Sequence, residues 1–113
     1  SDEGFQEISA MHARLMSNLK LALNVFVTPD VRLARRLLGE KIEFRELERT
    51  ASESHLGRLK SGKLESIETS SLHLDVLRDL KRINSHLTSV AYPILDAAGE
   101  LTQSRLKAAE TPS

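Results

Sequence analysis

Cysteine is absent, and with it any disulfide framework, zinc–thiolate site or cysteine nucleophile. That fits a reducing, cytosolic compartment. Tryptophan is absent too, and three prolines and five glycines are too few for a β-fold built on tight turns. No apolar run reaches the roughly 18 residues that a membrane-spanning helix needs, so no direct membrane span is expected. No signal peptide is visible. Neither sign of charge dominates, because sixteen Lys and Arg balance sixteen Asp and Glu. Nucleic-acid binding draws on a basic excess that displaces counterions, so it is not expected either. Catalytic signatures are missing as well: there is no glycine-rich phosphate loop, no GxSxG and no HExxH.

What is abundant is Leu, Ala, Ser, Glu, Lys and Arg. A chain of 113 residues with that composition reads as one all-α domain, 1–113, able to bury a core unaided. It opens on Ser1-Asp2 without a methionine and closes on Thr111-Pro112-Ser113, as a piece of something longer would.

Apolar residues recur at threes and fours in three long segments, which predicts an antiparallel three-helix bundle. The first helix, about 3–26, has the seam Phe5, Ile8, His12, Leu15, Leu19, Ala22 and Phe26. His12 is then a buried polar residue, satisfied by a partner or set at the seam's edge. Thr28 reads as an N-cap with Pro29 at the first helical position and Asp30 at the positive end of the dipole. The second helix, about 29–60, has the seam Leu33, Leu37, Glu40, Phe44, Leu47 and Ala51, widened by Ala34, Leu38 and Ile42. Gly39 in this run suggests a close helix contact. Glu40 is a second buried polar residue, and an Arg, a Lys or His12 is its expected partner. Ser61-Gly62-Lys63 is a stop signal, and about 61–68 reads as a loop.

The third helix, about 69–108, is capped by Thr69 or Ser70. Its seam is Val76, Leu80, Ile83, Leu87, Val90 and Ile94, extended by Leu77, Ala91, Leu95, Ala98 and Leu101. Pro93 is expected to bend it rather than end it. At 1.5 Å per residue the second and third helices reach about 45 to 60 Å and the first only about 35 Å. Part of the long seams is thus left for a partner.

Two polar rows flank the third seam. Asp75, Asp79, Arg82, His86 and Ser89 share one face. Asp75, Asp79 and His86 are the right ligand types for a metal, but Arg82 stands among them as a fixed cation suited to Asp79, so an ion-paired, solvated face is preferred. Arg78, Lys81, Ser85, Thr88 and Tyr92 form a cationic and hydroxylic row, of which Arg78, Lys81 and Ser85 would suit an anion or an acidic partner surface. The histidines at 12, 55, 73 and 86 form no recognisable ligand set. Without Glu-x-x-His motifs a four-helix carboxylate-metal enzyme is not expected.

The stretch 79-DLKRINSHLTSVAYPIL-95 resembles the helix of PhoU-type domains through Asp79, Leu80, Arg82, Ile83, His86 and Ala91, and 30-DVRLARRLLGE-40 is similar to their second-helix pattern. The wording from Leu72 to His86 looks closest to the PhoU-like domain that follows the membrane part of bacterial sodium/phosphate cotransporter-family proteins. The resemblance implies one three-helix repeat of a unit that full-length PhoU proteins carry twice, with the second copy supplied here by a homodimer. It further implies a non-catalytic regulatory role in phosphate uptake, on the cytoplasmic side of the inner membrane, beside the membrane-embedded portion of the same parent. The family's metal clusters use an acid-x-x-x-acid pair, and the aligned positions here are Lys81 and Ser85. An ammonium and a hydroxyl do not replace two carboxylates around a multivalent cation, so no metal and no other cofactor is expected. The other expectation that the seams support is a structural oligomerisation domain with no sensing role.

Overall fold

The computed structural model describes residues 2–62 and 67–99. The described residues are almost wholly helical and contain no strand: α1 spans Asp2–Val27, α2 Val31–Lys60, α3 Ile67–Thr88 and α4 Ala91–Ala97. The first three pack against one another as an up-down-up bundle, so α1 and α3 run parallel, and α4 continues α3 and packs on α2. No described helix is long and apolar enough to cross a membrane.

The junction after α1 is capped by Asp30 rather than Thr28. The Asp30 carboxylate accepts from the amides of Arg32 (2.7 Å) and Leu33 (3.3 Å), and its carbonyl takes the first helical bond, from Ala34. Its extended backbone (φ −132°, ψ 125°) is that of an N-cap. The Thr28 amide instead closes the last turn of α1 on Asn24. Pro29 therefore precedes α2 and is not its first residue. At the far end Ser61 and Gly62 stop the helix, and Gly62 has φ +76°, a conformation that costs glycine little. Residues 63–66, in the expected loop, lie outside the described residues, while α3 begins at Ile67, before either expected cap.

The third helix is not continuous. Ser89, Val90 and Tyr92 each bond three residues back, to His86, Leu87 and Ser89, which tightens the chain between Thr88 and Ala91. The cause is Pro93. Its ring cannot follow the carbonyl four residues earlier, that of Ser89, so the break falls there and the proline occupies the first turn of α4, where a missing N–H is harmless. Helix α4 ends at Ala97 with Gly99 at φ +79°. The expected run to about 108, with Leu101, lies outside the described residues.

The core consists of two apolar blocks with a polar layer between them. One block joins Leu21, Ala22 and Val25 to Ala34, Leu37, Ala91 and Leu95; the other joins Met11 and Leu15 to Phe44, Ala51 and Leu77. Phe44 is wholly buried, worth about 1.5–3 kcal/mol over an exposed ring. Between the blocks Asn18 Nδ2 donates to Asn84 Oδ1 at 2.7 Å, and Asn84 Nδ2 donates to the Glu40 carbonyl at 3.4 Å.

Two seams are met only in part. On α1, Ile8, Leu15 and Ala22 do face inward, but the companion row is Met11, Asn18 and Val25, not Phe5, His12, Leu19 and Phe26. A one-residue step turns a helix by about 100°, which carries His12 out to solvent. In the third segment Leu80, Leu87, Val90 and Ile94 pack against the core as expected, and the extending Leu77, Ala91 and Leu95 are buried, but Asn84 shares the centre of the face and Ile83 is exposed. Gly39 is at no close contact, since a methyl group there would meet nothing within 4 Å.

Candidate functional site

The most unusual chemistry lies at the end of the bundle where α1 and α3 begin and α2 finishes. On α2 the inward row of Phe44 and Ala51 continues by four and three to His55 and Arg58, so these polar residues inherit core positions. Helix α3 enters with Ser70 and His73 on its inner face, and α1 brings Glu3 and Glu7. His55, Arg58 and His73 are all more than nine-tenths buried.

The imidazoles of His55 and His73 stack with centroids 4.2 Å apart and planes 17° from parallel. Arg58 clamps the cluster. Its Nη2 donates to Glu7 Oε1 at 2.7 Å and its Nη1 to Ser54 Oγ at 2.9 Å, and Glu3 approaches Nη1 at 3.2 Å. Its pKa is raised, first by the hydrogen bond to Glu7 and against the cost of burial. Arg58 Nη2 also lies 3.4 Å from His55 Nδ1; an arginine has only donors, so Nδ1 is the acceptor and the His55 proton sits on Nε2. Nε2 of both histidines and Nε of Arg58 are buried without a hydrogen-bond partner. His73 Nε2 stands 3.4 Å from Glu7 Oε1, which is ion-pair distance without hydrogen-bond geometry.

Burial lowers the pKa of both histidines. For His55 the charges of His73 and Arg58 push the same way; for His73 the nearby Glu7 pulls against it. Stacked rings aim their in-plane lone pairs side by side, not at a common point, and Arg58 fixes the His55 tautomer that blocks Nε2. The cluster therefore does not fit a metal ion.

The residues singled out from the sequence are placed elsewhere. Asp75, Asp79 and His86 are all exposed, and no set of three His, Asp or Glu among the described residues could hold a metal. On that face the ion pair joins Arg78 to Asp75, not Arg82 to Asp79. Of the second row, expected as an anion or partner face, Arg78 stays exposed beside Asp75 while Lys81, Thr88 and Tyr92 turn towards α2. Lys81 Nζ reaches Glu48 at 3.9 Å, Thr88 is wholly buried, and Tyr92 meets Lys41 through its hydroxyl at 3.4 Å. Ser85 is half-buried beside them. Glu40 is 15% exposed and is held by Arg14 through two bonds of 2.8 Å, while His12 takes no part.

A groove of about 330 Å³ runs between α1 and α2, with Met11, Leu47 and Ala51 as an apolar floor and Glu43 and Glu46 on its rim. Thr50 lines it beside these carboxylates.

The larger open surface is apolar. Phe5, Met16, Leu23 and Phe26 on α1, and Leu72 and Ile83 on α3, are 41–74% exposed. Residues Ala10, Met11 and Arg14 turn towards α2, so this α1 stripe, on the opposite edge of the core row, lies on the α3 side. Lys81 and Tyr92 reach α2, so Leu72 and Ile83 lie on the α1 side. The two stripes flank one seam and make one face, opposite α2.

Comparison with known proteins places this architecture. The family described as the PhoU domain matches residues 8–94. The "Putative inorganic phosphate export protein YjbB" of Salmonella typhimurium (strain LT2) is 50% identical over 96 residues, 85% of this chain and 18% of that protein. Its namesakes in Escherichia coli (strain K12) and Shigella flexneri are 48% identical over 98 residues, 87% of this chain and 18% of each. The chain thus spans less than a fifth of the length of these relatives. No solved structure matches it. The chain belongs to the PhoU domain family.

Proposed function

We propose that this PhoU domain is a non-catalytic regulatory module of a longer phosphate-transport protein, and that it acts through its helix faces on the cytoplasmic side of the inner membrane. The carrying observation is the apolar face of α1 and α3. Its six large side chains leave on the order of 700 Å² of apolar surface open, against the roughly 800 Å² that each partner contributes to a standard interface. A face of that size supports work by contact. Its occupant in this reading is a second copy of the domain, two parallel helices meeting two across a two-fold axis. The membrane-embedded portion of the same parent then receives the signal.

Phosphate as the transported ion, and export as its direction, are supported by the name of the relatives. Sodium coupling is supported by the resemblance of residues 72–86 alone. The test is phosphate flux through the full-length parent, with and without sodium, for the native protein and for the Leu23→Glu/Phe26→Glu variant. Altered flux, together with loss of dimers in light scattering of the isolated chain, is the expected result. Dimers lost with flux unchanged would favour the second reading, an oligomerisation domain without a sensing role; dimers unaffected would remove the face from the argument.

A further inference from the structure

The end cluster has a property that the contact role above does not use. Two imidazoles from different helices share one buried site with a guanidinium, and the arrangement depends on the His55 ring being neutral. His55 Nδ1 accepts from Arg58 only while it carries a lone pair. A proton there would set N–H against N–H and break that bond. It would also place a second cation beside Arg58 and a third if His73 followed, with ring centroids 4.2 Å apart.

Among the described residues, charged groups face the pair from two helices. Helix α1 supplies the carboxylates Glu3 and Glu7, α2 supplies Arg58, and across the stack each histidine faces the other. Glu7 is already held by Arg58 through 2.7 and 3.3 Å contacts, and Glu3 is mostly solvated. Two carboxylates, one of them weakly placed, are left to answer three cations. Among the described residues no carboxylate pairs with His55, and its Nε2 has no partner.

We propose that the stacked His55–His73 pair is a proton-operated latch, which holds the end of α2 to the starts of α1 and α3 when neutral and releases that end when protonated. The middle of the bundle stays closed, because the Asn18–Asn84 layer contains no group that titrates in this range.

The direction follows from linkage. Burial holds both histidines below their ordinary value of 6.5 in the folded chain. The unfolded or opened form therefore binds protons first. The latch is fully closed above about 6.5 and loosens as the pH falls from there through the folded-state values. Opening becomes favoured by about 10-fold per pH unit for one proton taken up, and by about 100-fold where both rings are charged.

The experiment is amide hydrogen exchange on the full chain between pH 7.5 and 5, corrected for intrinsic chemistry. Protection at residues 55–58 and 70–73 is expected to fall as the pH drops below about 6.5, by up to about 10-fold per pH unit for each proton taken up, while protection around Asn18 and Asn84 holds. The variant His55→Phe/His73→Phe keeps two stacked rings and is expected to lose the pH response; His12→Gln/His86→Gln, at exposed positions, is expected to keep it. A uniform loss of protection along all three helices would overturn the proposal, as would a pH response that survives in the Phe variant. Should that variant fail to fold, an NMR titration of the native histidines decides the matter: either buried ring protonating at or above 6.5 would overturn it. None of these readouts involves phosphate or dimers, so the latch and the regulatory role stand or fall separately.

Discussion

Arg14 of α1 closes a two-bond fork on Glu40 of α2, Nε and Nη2 each 2.8 Å from a carboxylate oxygen, one turn from the layer in which the Glu40 carbonyl meets Asn84. The carboxylate is 15% exposed and the guanidinium 42%, so solvent relieves the cation but not the anion. The pKa of Arg14 is raised, chiefly by this hydrogen bond. Loss of the arginine is therefore a burial problem for Glu40.

Arg14→Ala should destabilise the bundle by about 1–3 kcal/mol, and Arg14→Lys should recover only part of it, since an ammonium makes no fork. Urea denaturation reads both. A loss in Arg14→Ala no larger than that of an exposed arginine would show the pair to be ornamental.

The Asn18–Asn84 bond calls for a double-mutant cycle. Each single change to leucine leaves a buried amide without its partner and should cost about 1–3 kcal/mol. The double change should recover most of the loss, because neither amide is then stranded. Strictly additive costs in denaturant melts would contradict the assignment of these two as partners.

At the α1–α2 junction, Asp30→Ala should cost about 1 kcal/mol, while Thr28→Ala should stay within about 0.5 kcal/mol. Thermal melts that ranked the two the other way would return the cap to Thr28.

Metal binding offers a gain-of-function test. The native chain is expected to take up no stoichiometric iron, zinc or manganese in calorimetry. Lys81→Glu/Ser85→Asp places two carboxylates one turn apart on the face that meets Glu48, replacing an ammonium now 3.9 Å from it. That variant should acquire divalent-cation binding. Uptake by the native chain, or none by the variant, would show that Lys81 and Ser85 do not decide the matter.

The fold class was legible because helical period and the scarcity of glycine and proline agree along the whole chain. Which side of each helix faces inward was harder to read. Helix α1 carries two apolar stripes one residue apart, and the one with both phenylalanines is exposed, while the buried one contains Asn18. Hydrophobicity alone prefers the wrong stripe, because the polar residue belongs to a layer that only the partner Asn84 explains. Asp30 and Pro93 had local signals, yet the cap and the break each fell a few residues from where they were expected, as steric rules for the neighbouring carbonyl require. His55 and Arg58 could have been found by continuing the spacing of Phe44 and Ala51 past its last apolar member. Nothing local pairs His55 with His73, because that contact exists only once α2 and α3 are packed.

Asn84 grips α1 through its oxygen and α2 through its nitrogen, between the two apolar blocks. If α3 slid lengthwise by one turn it would empty both grips together, and a slide of α1 or α2 would empty one, whereas a change of splay at either tip would leave them intact. Motion in this domain is thus restricted to that of a scissor pinned at its pivot, and piston-like travel along the axis is denied to it.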